Sequence, residues 1–211
     1  MRPLSVERWN TPWILLGGVC ALLALAAVIL PDILGTSRPG ELLQHLDGSL
    51  DHRHYTLDPV KSDLYVRASH ALKEGDTRSA ETIYKEVIAK HPKDSDGYAA
   101  LGACLFFQER YEEARAEYLL AMALNSKSES AFYGLGCIAY KQSRNIEAKD
   151  YLEKALALNQ NDGCSHRVLG LVYEQLGDVP DALVHYERAM ALDPVVAGDG
   201  VVRARLKALK P

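Results

Sequence analysis

Small and large apolar residues recur at a fixed spacing over about two-thirds of the chain. Residues 61–196 align in four blocks of 34 without a gap, at 61–94, 95–128, 129–162 and 163–196. Every block has a small residue at its eighth position, an alanine at its twentieth and a large apolar residue at its twenty-fourth. In block order these residues are Ala68, Gly102, Gly136 and Gly170; Ala80, Ala114, Ala148 and Ala182; and Tyr84, Tyr118, Leu152 and Tyr186. A fixed period of this length predicts a helical repeat.

Each block predicts two antiparallel helices, here called helix A and helix B. In the second block we expect helix A near Asp96 to Gln108 and helix B near Tyr111 to Leu124. Gly-Asp pairs stand between the two helices in the first and fourth blocks, at 75–76 and 177–178. Glycine can end helix A in a left-handed conformation, and the aspartate after it can cap helix B. Glycines inside helix A lower helix propensity, so their recurrence predicts a close approach of A and B.

The repeated blocks, about two-thirds of the chain, resemble the tetratricopeptide repeat, most clearly in the fourth block. The residues that carry the resemblance are Leu169-Gly170, Tyr173, Ala182, Tyr186, Ala189 and Pro194. The resemblance implies an all-α fold, an α-solenoid of four helix hairpins. Because packing residues define this family, the resemblance implies a binding function but names no ligand.

Residues 197–211 are predicted to form a helix that caps the last block. Val202, Leu206 and Leu209 fall on one face of that helix, with basic residues mostly off it. Stacked repeats leave an apolar face at the end of the array, which such a helix would cover. The alternative is that its basic side meets an anionic surface.

An apolar stretch near the start of the chain predicts one transmembrane helix. Trp13–Leu30 has eighteen residues and no charge, and a helix of that length spans roughly 27 Å, close to the hydrocarbon thickness of a bilayer. It follows a flank, 1–12, and precedes a linker with one short helix, 31–60. Flanking charges favour a cytoplasmic N-terminus with the repeats across the membrane, in the periplasm at the inner membrane if the cell is a Gram-negative bacterium. The alternative is a cleaved signal peptide.

Net charge, cysteine spacing and the lack of catalytic motifs argue against nucleic-acid binding, metal binding and catalysis. The net charge is −4 and basic residues cluster only in the last ten positions, so no nucleic-acid partner is predicted. The four cysteines lack the spacing of a metal site or a disulfide framework, and no metal or cofactor is predicted. His52 and His54 fit a solvated linker better than a metal site. Without paired carboxylates, a Ser/His/Asp order or a phosphate loop, the chain is predicted not to be an enzyme; thiol chemistry at Cys104, Cys137 and Cys164 is the alternative.

The resemblance also implies where a ligand binds, because helices A of this family line a concave groove. Transferring that face by register gives a candidate protein- or peptide-binding groove. Its candidate residues are Tyr65, Ser69, Leu72 and Lys73 in the first block, Ala99, Ala103, Phe106 and Phe107 in the second, Tyr133, Cys137, Tyr140 and Lys141 in the third, and Arg167, Leu171 and Glu174 in the fourth. Aromatic rings beside cations suit a partner with apolar side chains and a carboxylate. The linker or a second copy of the chain is the alternative occupant.

These features predict a membrane-anchored scaffold that recruits protein partners, such as components of a membrane or envelope complex during assembly. Attachment to the bilayer through residues 13–30 would raise the local concentration of partners. The alternative is a self-associating structural scaffold, a homo-oligomer whose grooves engage neighbouring copies.

Overall fold

A computed structural model of the chain describes residues 58–198 and 200–209. The predicted transmembrane segment Trp13–Leu30, its flank and the linker up to residue 57 lie outside these residues. Within the described part of the chain all regular structure is helical, and no helix there is long and apolar enough to cross a bilayer.

Eight helices form four consecutive hairpins, each made of a helix A and a helix B. They are α1 (Pro59–Lys73) with α2 (Thr77–Lys90), α3 (Ser95–Phe107) with α4 (Tyr111–Leu124), α5 (Glu129–Lys141) with α6 (Asn145–Leu158), and α7 (Gly163–Leu176) with α8 (Val179–Leu192); α9 (Pro194–Gly198) and α10 (Gly200–Leu209) follow. Helices A of the last three hairpins begin at a constant 34-residue step. The prediction of an all-helical solenoid is confirmed.

The turns between helices A and B take a left-handed residue in all four repeats. Gly75 has φ 78° and Gly177 has φ 81°, as their sequence predicts. At the same repeat position the middle repeats carry Glu109 with φ 61° and Ser143 with φ 58°. The repeat geometry therefore imposes a conformation that costs an ordinary L-residue roughly 1–2 kcal/mol.

The recurring glycines of helix A make room for a side chain of helix B in the same repeat. A Cβ atom placed on Gly136 would stand 2.7 Å from Leu152 Cγ, and one on Gly170 would stand 2.7 Å from the Tyr186 ring. The large side chain at the twenty-fourth position, rather than the periodic alanine, fills most of the space beside these glycines. Leu152 and Tyr186 are both fully buried there.

One further glycine, which the period does not reveal, joins neighbouring repeats. A Cβ atom on Gly134 would lie 2.1 Å from Tyr118 Cζ. The Tyr118 ring therefore packs between Gly102 of its own repeat and Gly134 of the next one. Ala100 and Val168 hold this position in the second and fourth repeats.

The C-terminal helix α10 packs on the fourth repeat. Val202 and Leu206 are buried in the same apolar cluster as Tyr186 and Ala189 of α8. Arg203 donates through Nε to the carbonyl oxygen of Ala197 at 2.9 Å, which links α10 to α9. The apolar face that a fifth repeat would cover is thus partly closed by the chain itself.

Glycine at the left-handed positions of the middle repeats should stabilise the protein. We expect Glu109→Gly and Ser143→Gly each to raise the free energy of unfolding by about 0.5–1 kcal/mol, because glycine tolerates positive φ without a Cβ clash. Urea unfolding of the full-length chain in a neutral detergent measures the change. Gln175→Gly, within the right-handed turns of α7, is the matched control and should lose stability. A loss in all three variants would contradict the assigned strain.

Filling the space at Gly136 should have the opposite effect. Gly136→Leu is expected to lower the free energy of unfolding by about 1–3 kcal/mol, because the new leucine side chain would overlap Leu152 between helices α5 and α6. The control is Gly198→Leu in α9, where an added Cβ meets nothing within 4 Å. An unchanged urea midpoint for Gly136→Leu would argue against the packing described above.

Candidate functional site

The predicted groove residues fall into two sets that differ in exposure. The groove floor consists of the predicted site residues that are buried: Tyr65, Tyr133, Cys137 and Arg167. The groove rim consists of those that keep at least part of their surface exposed: Ser69, Lys73, Phe106, Phe107, Tyr140, Lys141, Leu171 and Glu174. Leu72, Ala99 and Ala103, on the same face, are also buried. The rim thus presents more of the surface that a partner needs.

In the floor, Tyr65 connects α1 to Asp94, the residue immediately before α3. Its hydroxyl donates to Asp94 Oδ2 at 2.7 Å, and its ring packs edge-on against Tyr84 with centroids 5.6 Å apart. Lys61 Nζ pairs with the other oxygen of Asp94 at 2.9 Å. Burial raises the pKa of Tyr65, with the Asp94 charge adding to the effect. These contacts give Tyr65 a structural role, and its contact with a partner stays a prediction.

The third and fourth repeats place Tyr133, Cys137 and Arg167 near one another in the floor. Only 7% of Tyr133 is exposed, and its hydroxyl has no hydrogen-bond partner within the described part of the chain. Burial raises the pKa of Tyr133, and it raises that of Cys137 to about 11, while the Arg167 charge opposes both shifts. This floor therefore combines a cation with neutral polar groups at neutral pH.

The rim is most aromatic in the second repeat. The rings of Phe106 and Phe107 make an edge-to-face contact, with an interplanar angle of 80° and centroids 5.7 Å apart. Phe106 also lies 5.5 Å from the ring of Tyr111. Both phenylalanines pack partly on the core and remain partly exposed. They occupy the twelfth and thirteenth positions of their repeat, which Tyr140 and Lys141 occupy in the next.

At the C-terminal end of the rim, Glu174 is engaged within the chain. Tyr186 donates its hydroxyl to Glu174 Oε2 at 2.8 Å, and Arg205 of α10 pairs with the other carboxylate oxygen. Both helices of the fourth repeat and the C-terminal helix thus meet at one carboxylate. The part of Glu174 in partner binding stays a prediction.

The three described cysteines lie in buried places. Cys104, Cys137 and Cys164 form no disulfide within the described residues. Burial raises the pKa of the Cys104 thiol to about 12 and also raises that of Cys164. Because the thiolate is the reactive form, these shifts oppose thiol chemistry at neutral pH. No group of three or more metal-ligating side chains occurs within the described ranges.

A polar seam that the sequence analysis missed joins the first two repeats. Glu81, 9% exposed, accepts hydrogen bonds from Lys85 at 2.6 Å and from Gln108 and Arg110 at 2.9 Å each. These contacts, led by the Lys85 bond, lower the pKa of Glu81 to about 2. The signal available was the pair Gln108-x-Arg110, which recurs 34 residues later. The seam fixes the end of α3, where the two rim phenylalanines stand.

Comparison with solved structures supports this architecture. A crystal structure of MamA is 23% identical over 67% of this chain and 91% of its own, with a TM-score of 0.52. Pseudomonas aeruginosa pilF is 23% identical over 72% and 68%, with a TM-score of 0.63. TTC0263, a thermophilic protein of Thermus thermophilus, is 23% identical over 71% and 80%, with a TM-score of 0.60. Identities this low show a shared fold and nothing about ligands.

Family models give the assignment. No curated protein matches the chain significantly. Two models described as tetratricopeptide repeat match residues 71–135 and 133–197, and together they span more than half of the chain. These matches cover most of the four hairpins described above. Residues 71–197 are therefore tetratricopeptide repeats, and the chain belongs to the tetratricopeptide repeat family.

Proposed function

We propose that the chain is a scaffold that binds a protein or peptide partner on the groove rim of its second and third repeats. Tetratricopeptide repeat proteins generally act as protein-interaction scaffolds. The observation that carries the proposal is the pairing of partly exposed aromatic rings with an exposed lysine at equivalent positions of adjacent repeats. These residues are Phe106, Phe107, Tyr140 and Lys141.

The rim chemistry favours a partner segment with apolar and acidic side chains. Aromatic rings such as Phe107 supply rigid contact area at low entropic cost, and a partly desolvated ring is a common binding hot spot. Lys141 adds a positive charge at the edge of that apolar surface, and it can attract a carboxylate of the partner. The buried Arg167 adds positive charge on the same face. An acidic, apolar peptide satisfies all three features.

A membrane setting is part of the proposal. The eighteen uncharged residues from Trp13 to Leu30 support a single membrane span. The charges that flank this stretch favour a cytoplasmic N-terminus, with the repeats on the far side. An anchored groove meets partners confined to the same membrane at a raised effective concentration. This arrangement suits the assembly of a membrane or envelope complex.

Binding fits the described residues better than catalysis does. The cysteines are buried with raised thiol pKa values, and the carboxylates of Glu81 and Glu174 are occupied by cations of the same chain. A catalytic group must come within hydrogen-bond distance of a substrate atom. These thiols are buried and these carboxylates are already paired, so they are poorly placed to do so.

A self-associating scaffold is the second candidate, and exposed apolar side chains on helices B favour it. Leu119, Leu120 and Leu124 of α4 and Leu158 of α6 are each more than 40% exposed. In that case the partner is another copy of the chain, and the experiment below separates the two candidates.

Charge reversal on the rim should weaken partner binding. We expect Lys141→Glu to reduce capture of the partner by about tenfold, because a repulsive charge replaces an attractive one at the edge of an apolar contact. Lys154→Glu is the matched control, since Lys154 is an exposed lysine of the same repeat on helix α6. Photo-crosslinking in cells, with a crosslinker placed at residue 141 or 154, identifies the bound protein.

The outcomes distinguish the candidates. A heterologous protein crosslinked from 141 but not from 154 supports the rim as the binding face. Crosslinks that join two copies of this chain support the self-associating scaffold instead. Equal crosslinking from both positions, with equal capture by both charge variants, contradicts a role for the rim.

A further inference from the structure

Two histidines of the fourth repeat meet directly. Nδ1 of His166 in α7 lies 2.9 Å from Nδ1 of His185 in α8. The ring centroids are 5.1 Å apart, so the imidazoles face each other edge to edge. Both side chains are partly buried. The 34-residue period gives no sign of this contact, because neither histidine recurs in the other repeats.

The surrounding atoms fix which nitrogen carries the proton. His166 Nε2 lies 3.2 Å from the carbonyl oxygen of Gln160, and a carbonyl can only accept, so this Nε2 carries a hydrogen. A neutral imidazole has one N–H, which leaves His166 Nδ1 as an acceptor. The hydrogen between the rings therefore belongs to His185, whose Nδ1–H donates to His166 Nδ1.

The pair stands at the joint between the third and fourth repeats. The Tyr173 ring stacks on His185 with centroids 5.3 Å apart, and Lys149 Nζ of α6 lies 5.3 Å from the centroid of Tyr173. Tyr173 also donates its hydroxyl to Glu153 of α6 at 3.4 Å. The contact between the histidines thus holds α7 against α8 and positions a ring that packs on α6.

Charged groups around the pair oppose one another. His166 faces Asp162 at the start of α7 and Arg188 of α8, and His185 faces Asp181 of α8. Desolvation is the largest influence on both rings, and it lowers the pKa of His166 and lowers that of His185 to about 4. The two acidic residues moderate these shifts without reversing them.

We propose that His166 and His185 form an acid-sensitive contact that holds the two helices of the fourth repeat together at neutral pH and is lost when both rings are protonated. One added proton leaves an N–H between the rings and keeps the bond. A second added proton places an N–H on both facing nitrogens, so the bond is replaced by repulsion between two charges. The pair can therefore accept only one extra proton without separating.

The sign of the pH effect follows from proton uptake. In the unfolded chain both imidazoles have ordinary pKa values of about 6.5, whereas the folded values are lower. The unfolded state then binds more protons as the pH falls from about 6.5 to about 4, so the contribution to stability is present above this window and is lost through it. Loss of the histidine contact should act mainly on the fourth repeat and the elements next to it, because α7 and α8 contact only neighbouring elements.

The experiment uses the full-length chain in a neutral detergent and follows thermal unfolding at about pH 7.5 and about pH 5. His185→Gln keeps an amide that can donate to His166 Nδ1 but removes one titrating ring. The matched control is His70→Gln, because His70 is an exposed histidine paired with Glu74 in α1. We expect His185→Gln to show about half the acid-induced fall in Tm of the wild type, and His70→Gln to keep the wild-type fall.

A second measurement does not depend on how the variants fold. Long-range nitrogen–proton correlation spectra of the wild type, labelled at histidine, report the tautomer of each ring. We expect the Nε2–H tautomer for His166 and the Nδ1–H tautomer for His185 near pH 7.5. The same tautomer in both rings, independent titration of both near about pH 6.5, or an undiminished fall in Tm for His185→Gln would each overturn the proposal.

Discussion

The insertion of one large side chain into a gap between helices A is the contact on which the rest of the structure depends. Tyr118 shows it most fully, because its ring occupies the space that Gly102 leaves in its own repeat and Gly134 leaves in the next. Since the side chain comes from helix B, it fixes the hairpin and the stacking of hairpins at once. Repeats of this kind contact only their neighbours, so this contact sets how each hairpin stacks on the next.

The face formed by helices A differs between the ends of the array and its middle. In the first repeat Tyr65 and Lys61 both bind Asp94, and in the fourth Glu174 joins Tyr186 to Arg205. The two ends of the face thus carry polar contacts that hold the array together. The middle repeats present rings and a lysine at their twelfth and thirteenth positions, which is why we propose partner binding there.

The sequence predicted those features whose cause is local or periodic. The hairpins and the turns at Gly75 and Gly177 follow from residue type and a 34-residue step. A contact whose residues do not recur was not predictable in this way. His166 and His185 meet in the fourth repeat, and the third repeat has Phe132 and Tyr151 at the same positions. The left-handed turn at Glu109 was missed because the residue type there argues against it.

The difference between recurring and non-recurring positions also explains why the sequence predicts the fold but not the ligand. Packing positions keep a similar residue size from repeat to repeat, so they identify the family and do not indicate a ligand. At the thirteenth position, by contrast, the four repeats carry Lys73, Phe107, Lys141 and Gln175. All four side chains keep part of their surface exposed, so they remain accessible to a partner. We therefore propose that partner choice in this chain resides in the positions where its repeats disagree.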